Sequence, residues 1–434
     1  MTGTKALKDK LLAQSRTRQS YRQEVESSAA PTTTPSAVDF AQHPGYRQLQ
    51  ALRQVGAERW GGNPFFRTHE GCSGATAVID GAPYINFASY NYLGLSGDER
   101  VAAAASKAVE AYGTSVSASR IVSGERPIHQ QLEAEIAKIY SAEDALALVS
   151  GHATNVTVIG HLMGSRDLVL HDEYIHNSSL VGAQLSGARR ISFRHNDVSH
   201  LEQLLRQYRH QFERVLIVVE GLYSMDGDVP DLKALVRLKR DWESWLMVDE
   251  AHALGVLGDT GLGSFEHAGV APGEVDIWMG TLSKTLSSCG GYIAGCQPLI
   301  DILRYFAPGF LYSVGMPAMN CAAALESLAI MQAEPERVQR LQQASSYLAE
   351  QAQALGFNVG PCIGRAVVPV ITGSSESATR LSHGLFERGF NVQPILYPAV
   401  PEQSARLRFF VSSEHTREQI DQVLAAMQDC LRAP

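Results

Sequence analysis

The sequence predicts an α/β protein: a large domain on a mostly parallel sheet covered by helices on both faces, then a smaller C-terminal α/β domain. Three observations carry this reading. From about residue 84 short apolar runs alternate with amphipathic stretches, the rhythm of successive βα units. The strand-like runs end in polar segments, where ligands of open parallel sheets bind. Past Pro317 a long helical stretch leads into a second βα region. At 434 residues, 45% hydrophobic and 19% charged, the chain is long enough to bury a core in each domain.

Taken in order, residues 1–65 read as an N-terminal extension and linker. The first 26 residues are charged and helix-prone, and 27–36 is a Pro/Thr/Ser-rich run suited to a flexible tether. The helix-prone part is either a loose terminus or a docking helix for a partner. Residues 66–316 form the large domain. Its clearest strands are 215–219, 246–248 and 276–279; between the first two lies helix 231–242, with Leu232, Leu235, Val236 and Leu238 spaced for one apolar face. Residues 317–434 form the small domain, with a helical stretch over 318–353 and strands at 367–371 and 407–411.

Composition removes several function classes. A net charge of −8 with scattered Lys and Arg gives no footprint for nucleic acid. The six cysteines lie far apart with no C-x-x-C pair, which argues against a metal site or a disulfide framework. The N-terminus lacks a signal-peptide apolar region and no 18-residue apolar stretch occurs, so a cytoplasmic protein without a transmembrane segment is expected. No repeat of solenoid period is present.

The chemistry gathers at strand ends. Gly280-Thr281-Leu282-Ser283-Lys284 follows an apolar strand and precedes Ser287-Ser288-Cys289-Gly290-Gly291. A lysine there can form a Schiff base while nearby hydroxyl and N–H groups hold a phosphate; alone, it reads more readily as a solvated surface charge. Asp249, at the end of the strand in Val248-Asp249-Glu250-Ala251-His252, lies 35 residues before Lys284. A carboxylate in that place can pair with a protonated pyridine nitrogen, with a helix N-cap as the plainer alternative. His252 can reach a ring's phenolic oxygen or sit satisfied in the core. Ser224 lies in the strand-end loop 220–228, otherwise a Gly- and Asp-rich turn. Gly151 and His152 open an apolar helical stretch whose N-terminal amides can grip a phosphate, with a plain helix cap as the equal alternative. His176 can stack on a planar ring or face solvent from its loop.

In this order, these segments resemble the α-oxoamine synthases, a branch of the fold-type I pyridoxal-phosphate (PLP) enzymes, over about residues 84–430. The resemblance implies a fold-type I transferase with a seven-stranded-type sheet in the large PLP-binding domain. It also implies roles: Lys284 as Schiff-base lysine and proton-transferring base, Asp249 on the pyridine nitrogen, His252 and Ser224 on the phenolic oxygen, His176 over the ring face. Thr281, Gly151 and His152 fall where the family holds the phosphate. Arg408 falls on the arginine that takes the amino acid's carboxylate, with Arg406 on the same strand face as the alternative. Members are homodimers with shared active sites, in which a hydroxyl near Ser313 reaches the partner's phosphate; here Val314 stands where many relatives have Thr.

The segment Ala88-Ser89-Tyr90-Asn91-Tyr92-Leu93-Gly94 resembles the serine palmitoyltransferase form and places Tyr90 and Asn91 beside the substrate, with Tyr90 where 5-aminolevulinate and 8-amino-7-oxononanoate synthases carry Asn. The run 280–295 looks like members tied to polyketide or fatty-acyl assembly. The implied reaction is decarboxylative condensation of a small α-amino acid (serine, alanine or glycine) with an acyl thioester, on CoA or an acyl-carrier protein, to an α-amino ketone. A long-chain or carrier-bound acyl donor fits better than succinyl-CoA. The same Asp and Lys also serve an aminotransferase or an aldolase-type lyase, and a catalytically silent partner subunit is a further alternative, which the presence of Lys284 disfavours.

Overall fold

A computed structural model describes residues 38–59 and 63–432; the expectations for 1–37 lie outside the described residues. The chain divides into two compact units between Asn63 and Pro64. In the first, the helix Pro44–Arg59 follows a single 3-10 turn whose N-cap, Asp39, accepts the Ala41 N–H.

The second unit is built on three sheets. Strands β1 (His69–Glu70), β2 (Thr76–Ile79) and β3 (Ala82–Asn86) form an antiparallel meander. The central sheet comprises β4 (Asp144–Leu148), β5 (Leu168–Asp172), β6 (Arg189–Phe193), β7 (Val215–Glu220), β8 (Trp245–Asp249), β9 (Ile277–Thr281) and β10 (Gly291–Gly295). Its order is β4-β10-β9-β8-β7-β5-β6, parallel from β9 to β6, with β10 antiparallel to both neighbours. Toward the C-terminus, β11 (Val367–Ile371), β12 (Phe390–Asn391), β13 (Gln393–Ile395) and β14 (Arg406–Phe410) follow; β14 lies between β11 and β13, and β12 adds in parallel to β3.

The apolar runs dictate this double cover. All six residues of β7 are buried, and they alternate between two cores: Val215, Ile217 and Val219 face one, Leu216 and Val218 the other. Met247, between Leu246 and Val248, obeys the same alternation. The smaller core packs the sheet on the helices Gly151–Leu162, Asn177–Leu185 and Gln297–Phe306. The helix read over 231–242 is Leu232–Asp241, capped by Asp231. The stretch read as one helix over 318–353 is two, Ala318–Ala333 and Glu336–Ala354. Pro335 is the reason: it drives Glu334 out of helical geometry, to φ −124° and ψ 62°.

Candidate active site

The parallel arrangement brings the carboxyl ends of β5, β7, β8 and β9 to one edge. A cavity of about 260 Å³ opens there, lined by Gly151, His152, Asn155, His176, Glu220, Asp249, His252, Thr281 and Lys284 among others. Seven of the residues read from the sequence thus meet in one space. A larger apolar cavity of about 400 Å³ lies where β8 and β9 begin, walled by Trp245, Trp278 and Leu299, and holds no comparable set of ionisable groups.

Lys284 sits in the turn after β9. Burial lowers its ammonium to about 8, against the pull of Asp249 and Glu220, so a neutral, nucleophilic amine is within reach near neutral pH. Its Nζ lies 5.6 Å from the centre of the Tyr90 ring. Asp249 is buried at the end of β8; its Oδ1 accepts the Ala251 N–H (3.0 Å) and its Oδ2 the Asn155 side-chain amide (2.9 Å). Asn155 also donates to Ser178 Oγ (3.0 Å), which leaves that hydroxyl to donate to His176 Nδ1 at 2.6 Å. A polar chain from Asp249 through Asn155 and Ser178 therefore fixes the His176 ring. Burial lowers the pKa of His176.

His252 is held from behind. The fully buried Tyr92 hydroxyl meets its Nδ1 at 2.7 Å, and burial, reinforced by Lys284 and Arg408, keeps the imidazole neutral. Burial likewise pushes the Tyr92 phenol well up, so the phenol donates and Nε2 keeps its proton toward the cavity.

The helix Gly151–Leu162 aims its N-terminus at the cavity. Ser150 caps Ala153, while the amides of Gly151 and His152 fall in the first turn, where a helix has no internal acceptor. Thr281 Oγ1 is fixed by donating to the Gly290 carbonyl (3.0 Å) and meets Ser283 Oγ at 2.8 Å. The approach is so close that a Cβ on Gly151 would lie 2.7 Å from Thr281 Oγ1, and only glycine admits it.

The two arginines of β14 differ in their commitments. Arg406 pairs with the buried Asp226 (2.7 Å) and donates to the Met225 carbonyl. Arg408 donates to the Ser224 carbonyl (3.0 Å) and lies over Phe410, and its buried Nε has no hydrogen-bond partner among the described residues. Ser224 itself is buried just outside the cavity lining, its N–H on Glu220. The Asn91 side chain bonds within its own region, to the Ser73 carbonyl and the Ser96 N–H. Ser313 lines a separate pocket with Arg120 and Phe310, its hydroxyl toward the Val314 carbonyl.

Sequence reasoning missed Asn155, Ser178, Tyr92 and Glu220 as site residues. Asn155 was within reach of it, since it lies four residues after Gly151 and so on the same helix face. Glu220 ends β7 as Asp249 ends β8.

Comparison with known proteins gives a consistent picture. The family model for aminotransferase class I and II matches residues 82–427. A putative 8-amino-7-oxononanoate synthase of Rippkaea orientalis is 41% identical over 364 residues, 82% of this chain and 92% of the relative. The 8-amino-7-oxononanoate synthase of Thermosipho melanesiensis is 40% identical over 82% of this chain and 90% of its own. Among solved structures, the serine palmitoyltransferase of Sphingomonas wittichii superposes with a TM-score of 0.85 at 28% identity, covering 91% of this chain and 98% of that one. A serine palmitoyltransferase solved with PLP gives the same TM-score at 29% identity and the same coverage.

PLP is the cofactor of this family, and the residues present fit it: an amine of lowered pKa, a buried carboxylate, a fixed imidazole and a helix N-terminus around one cavity. The six cysteines are free, and no cluster of metal-ligating side chains occurs among the described residues. With its fold, cofactor site and relatives in agreement, the chain belongs to the α-oxoamine synthases of the aminotransferase class I and II family, PLP-dependent acyltransferases that join an amino acid to an acyl thioester with loss of CO2.

Proposed function

We propose that the chain condenses a small α-amino acid (glycine, alanine or serine) with a long-chain or carrier-protein-bound acyl thioester, releasing CO2 and free thiol and leaving an α-amino ketone. The observation that carries this reading is the arginine pair: Arg408, beside the cavity, has no carboxylate partner among the described residues, while Arg406 has one. A carboxylate from outside the chain is the natural complement of such a cation.

PLP, when bound, supplies an electron sink that stabilises negative charge at the amino acid's Cα. The chain's own residues do the rest. Lys284 holds the cofactor and, as the free amine, takes the Cα proton. Asp249, held by Asn155, keeps a negative charge opposite the pyridine nitrogen. His176 covers one ring face. His252 Nε2–H and Ser224 serve the phenolic oxygen. Gly151, His152 and Thr281 take the phosphate. Arg408 orients the substrate carboxylate, and Tyr90 and Asn91 border the substrate side.

In this reading 66–316 carries the cofactor, 317–434 supplies Arg408, and two copies pair so that Ser313 of one approaches the other's phosphate site. Six free cysteines suit a reducing compartment, the cytoplasm. The test is an assay of the purified protein with PLP, each amino acid, and acyl-CoA or acyl-carrier substrates. Thiol and CO2 in equal amounts are expected; keto acid without thiol release would replace this reading with transamination.

A further inference from the structure

The strand register sets a second carboxyl group beside the one that serves the cofactor. Glu220 and Asp249 are the last residues of neighbouring parallel strands and stand directly opposite each other in the β7–β8 register. Both are buried, both line the cavity of Lys284, and no arginine or lysine forms an ion pair with either among the described residues. Two buried carboxylates in that arrangement repel, which disfavours charging both.

The donors around them differ. Asp249 receives a hydrogen bond on each oxygen, from the Ala251 N–H and from Asn155. Glu220 receives the Ser224 N–H on Oε2 alone; its buried Oε1 completes no hydrogen bond, the His176 amide lying near. Burial without a paired cation is what disfavours a carboxylate at Glu220.

We propose that Glu220 and Asp249 form a carboxyl pair that holds one proton, carried by Glu220, and that Glu220 is a positioning residue keeping a single negative charge beside Lys284. The groups that face Glu220 are Asp249 from β8, Lys284 after β9, His176 after β5, Arg408 from β14 and Tyr223 of its own loop. Burial, and then Asp249, push Glu220 up to about 8, into the range where Lys284 titrates. Above that range a second negative charge appears and draws Lys284 toward the ammonium, the form that cannot take a proton. The inference concerns the charge state of the chain and is independent of which amino acid or acyl group is used.

Infrared spectroscopy of the full-length protein, with and without PLP, tests it. A protonated-carboxyl C=O band that moves in D2O and fades around pH 8 is expected in the wild type and lost in Glu220→Gln. Glu250 is another buried carboxyl, bonded by Ser264 and raised to about 7, so the band must also survive Glu250→Gln. Asp249→Asn, which removes the neighbouring charge, should move the Glu220 midpoint to lower pH; this arm stands even where Glu220→Gln does not fold. In Glu220→Gln the pH midpoint for Lys284 reacting with an aldehyde should fall. A wild-type protein without the band, a band fading around pH 8 that survives Glu220→Gln, or a midpoint unmoved by Asp249→Asn overturns the proposal.

Discussion

Asn155 shows how much of this site depends on a side chain that no motif announces. Its amide ties the Asp249 carboxylate to Ser178 and, through that hydroxyl, to His176. A buried hydrogen bond to a charged group contributes about 1.5–3 kcal/mol, so Asn155→Ala should weaken PLP binding by roughly 10- to 100-fold, read by spectral titration with the cofactor. Unchanged affinity would mean that Asp249 is held adequately by the Ala251 N–H alone. The arginines of β14 make a paired prediction. Arg408→Ala should raise KM for the amino acid by roughly 100-fold with little loss of stability, because a charge-assisted contact to the carboxylate disappears. Arg406→Ala strands the buried Asp226 and should cost about 3–5 kcal/mol of stability in denaturant melts. The opposite assignment of effects would make Arg406 the substrate's partner.

At the scale of elements, the loop after β7 is the piece that joins the central sheet to β14. Asp226 holds Arg406, Ser224 holds Arg408, and Asp228 shares His195 with Asp172 at the end of β5 (2.8 and 2.9 Å). Although burial acts against its charge, the two carboxylates push His195 up to about 10 from its ordinary value near 6.5. The raised pKa fixes the sign: this contribution to stability is complete below about pH 6.5 and is lost as pH rises through about 10. The thermal midpoint of the wild type should therefore fall between pH 7 and 10, and His195→Asn should start lower and flatten that slope; an equally steep slope in the variant places the pH dependence elsewhere. Little of this loop was legible beforehand. Continuous apolar runs announce β7, β8 and β9, and polar residues at their ends announce Lys284 and Asp249, because both signals are local. β10 hides as a Gly-bounded GYIAG run, and β12 joins β3 across some 300 residues of chain. The Asp249–Asn155 bond spans 94 residues, and such pairings exist only once the sheet order is known.

At the scale of the whole molecule, the cavity is small for the reaction proposed. Ligand pockets commonly run to about 300–1,000 Å³, and about 260 Å³ must here serve a cofactor and two substrates. On the proposed pairing of two copies, the second would add walls for the acyl chain. Exposed apolar side chains mark where a second copy would supply them: Ile121 and Tyr305 share a groove with Phe310, and Val122, Phe306, Tyr312 and Val314 are also exposed. A stable pairing would cover roughly 1,600 Å² in all. Sedimentation should accordingly report a dimer at assay concentrations. The double variant Ile121→Glu/Phe306→Glu places two charges per copy in that surface, where desolvation opposes pairing. It should sediment as a monomer of unchanged circular dichroism, with most turnover lost and PLP bound more weakly. A monomeric wild type at full activity, or a monomeric variant that still turns over, would show that one copy completes its own site.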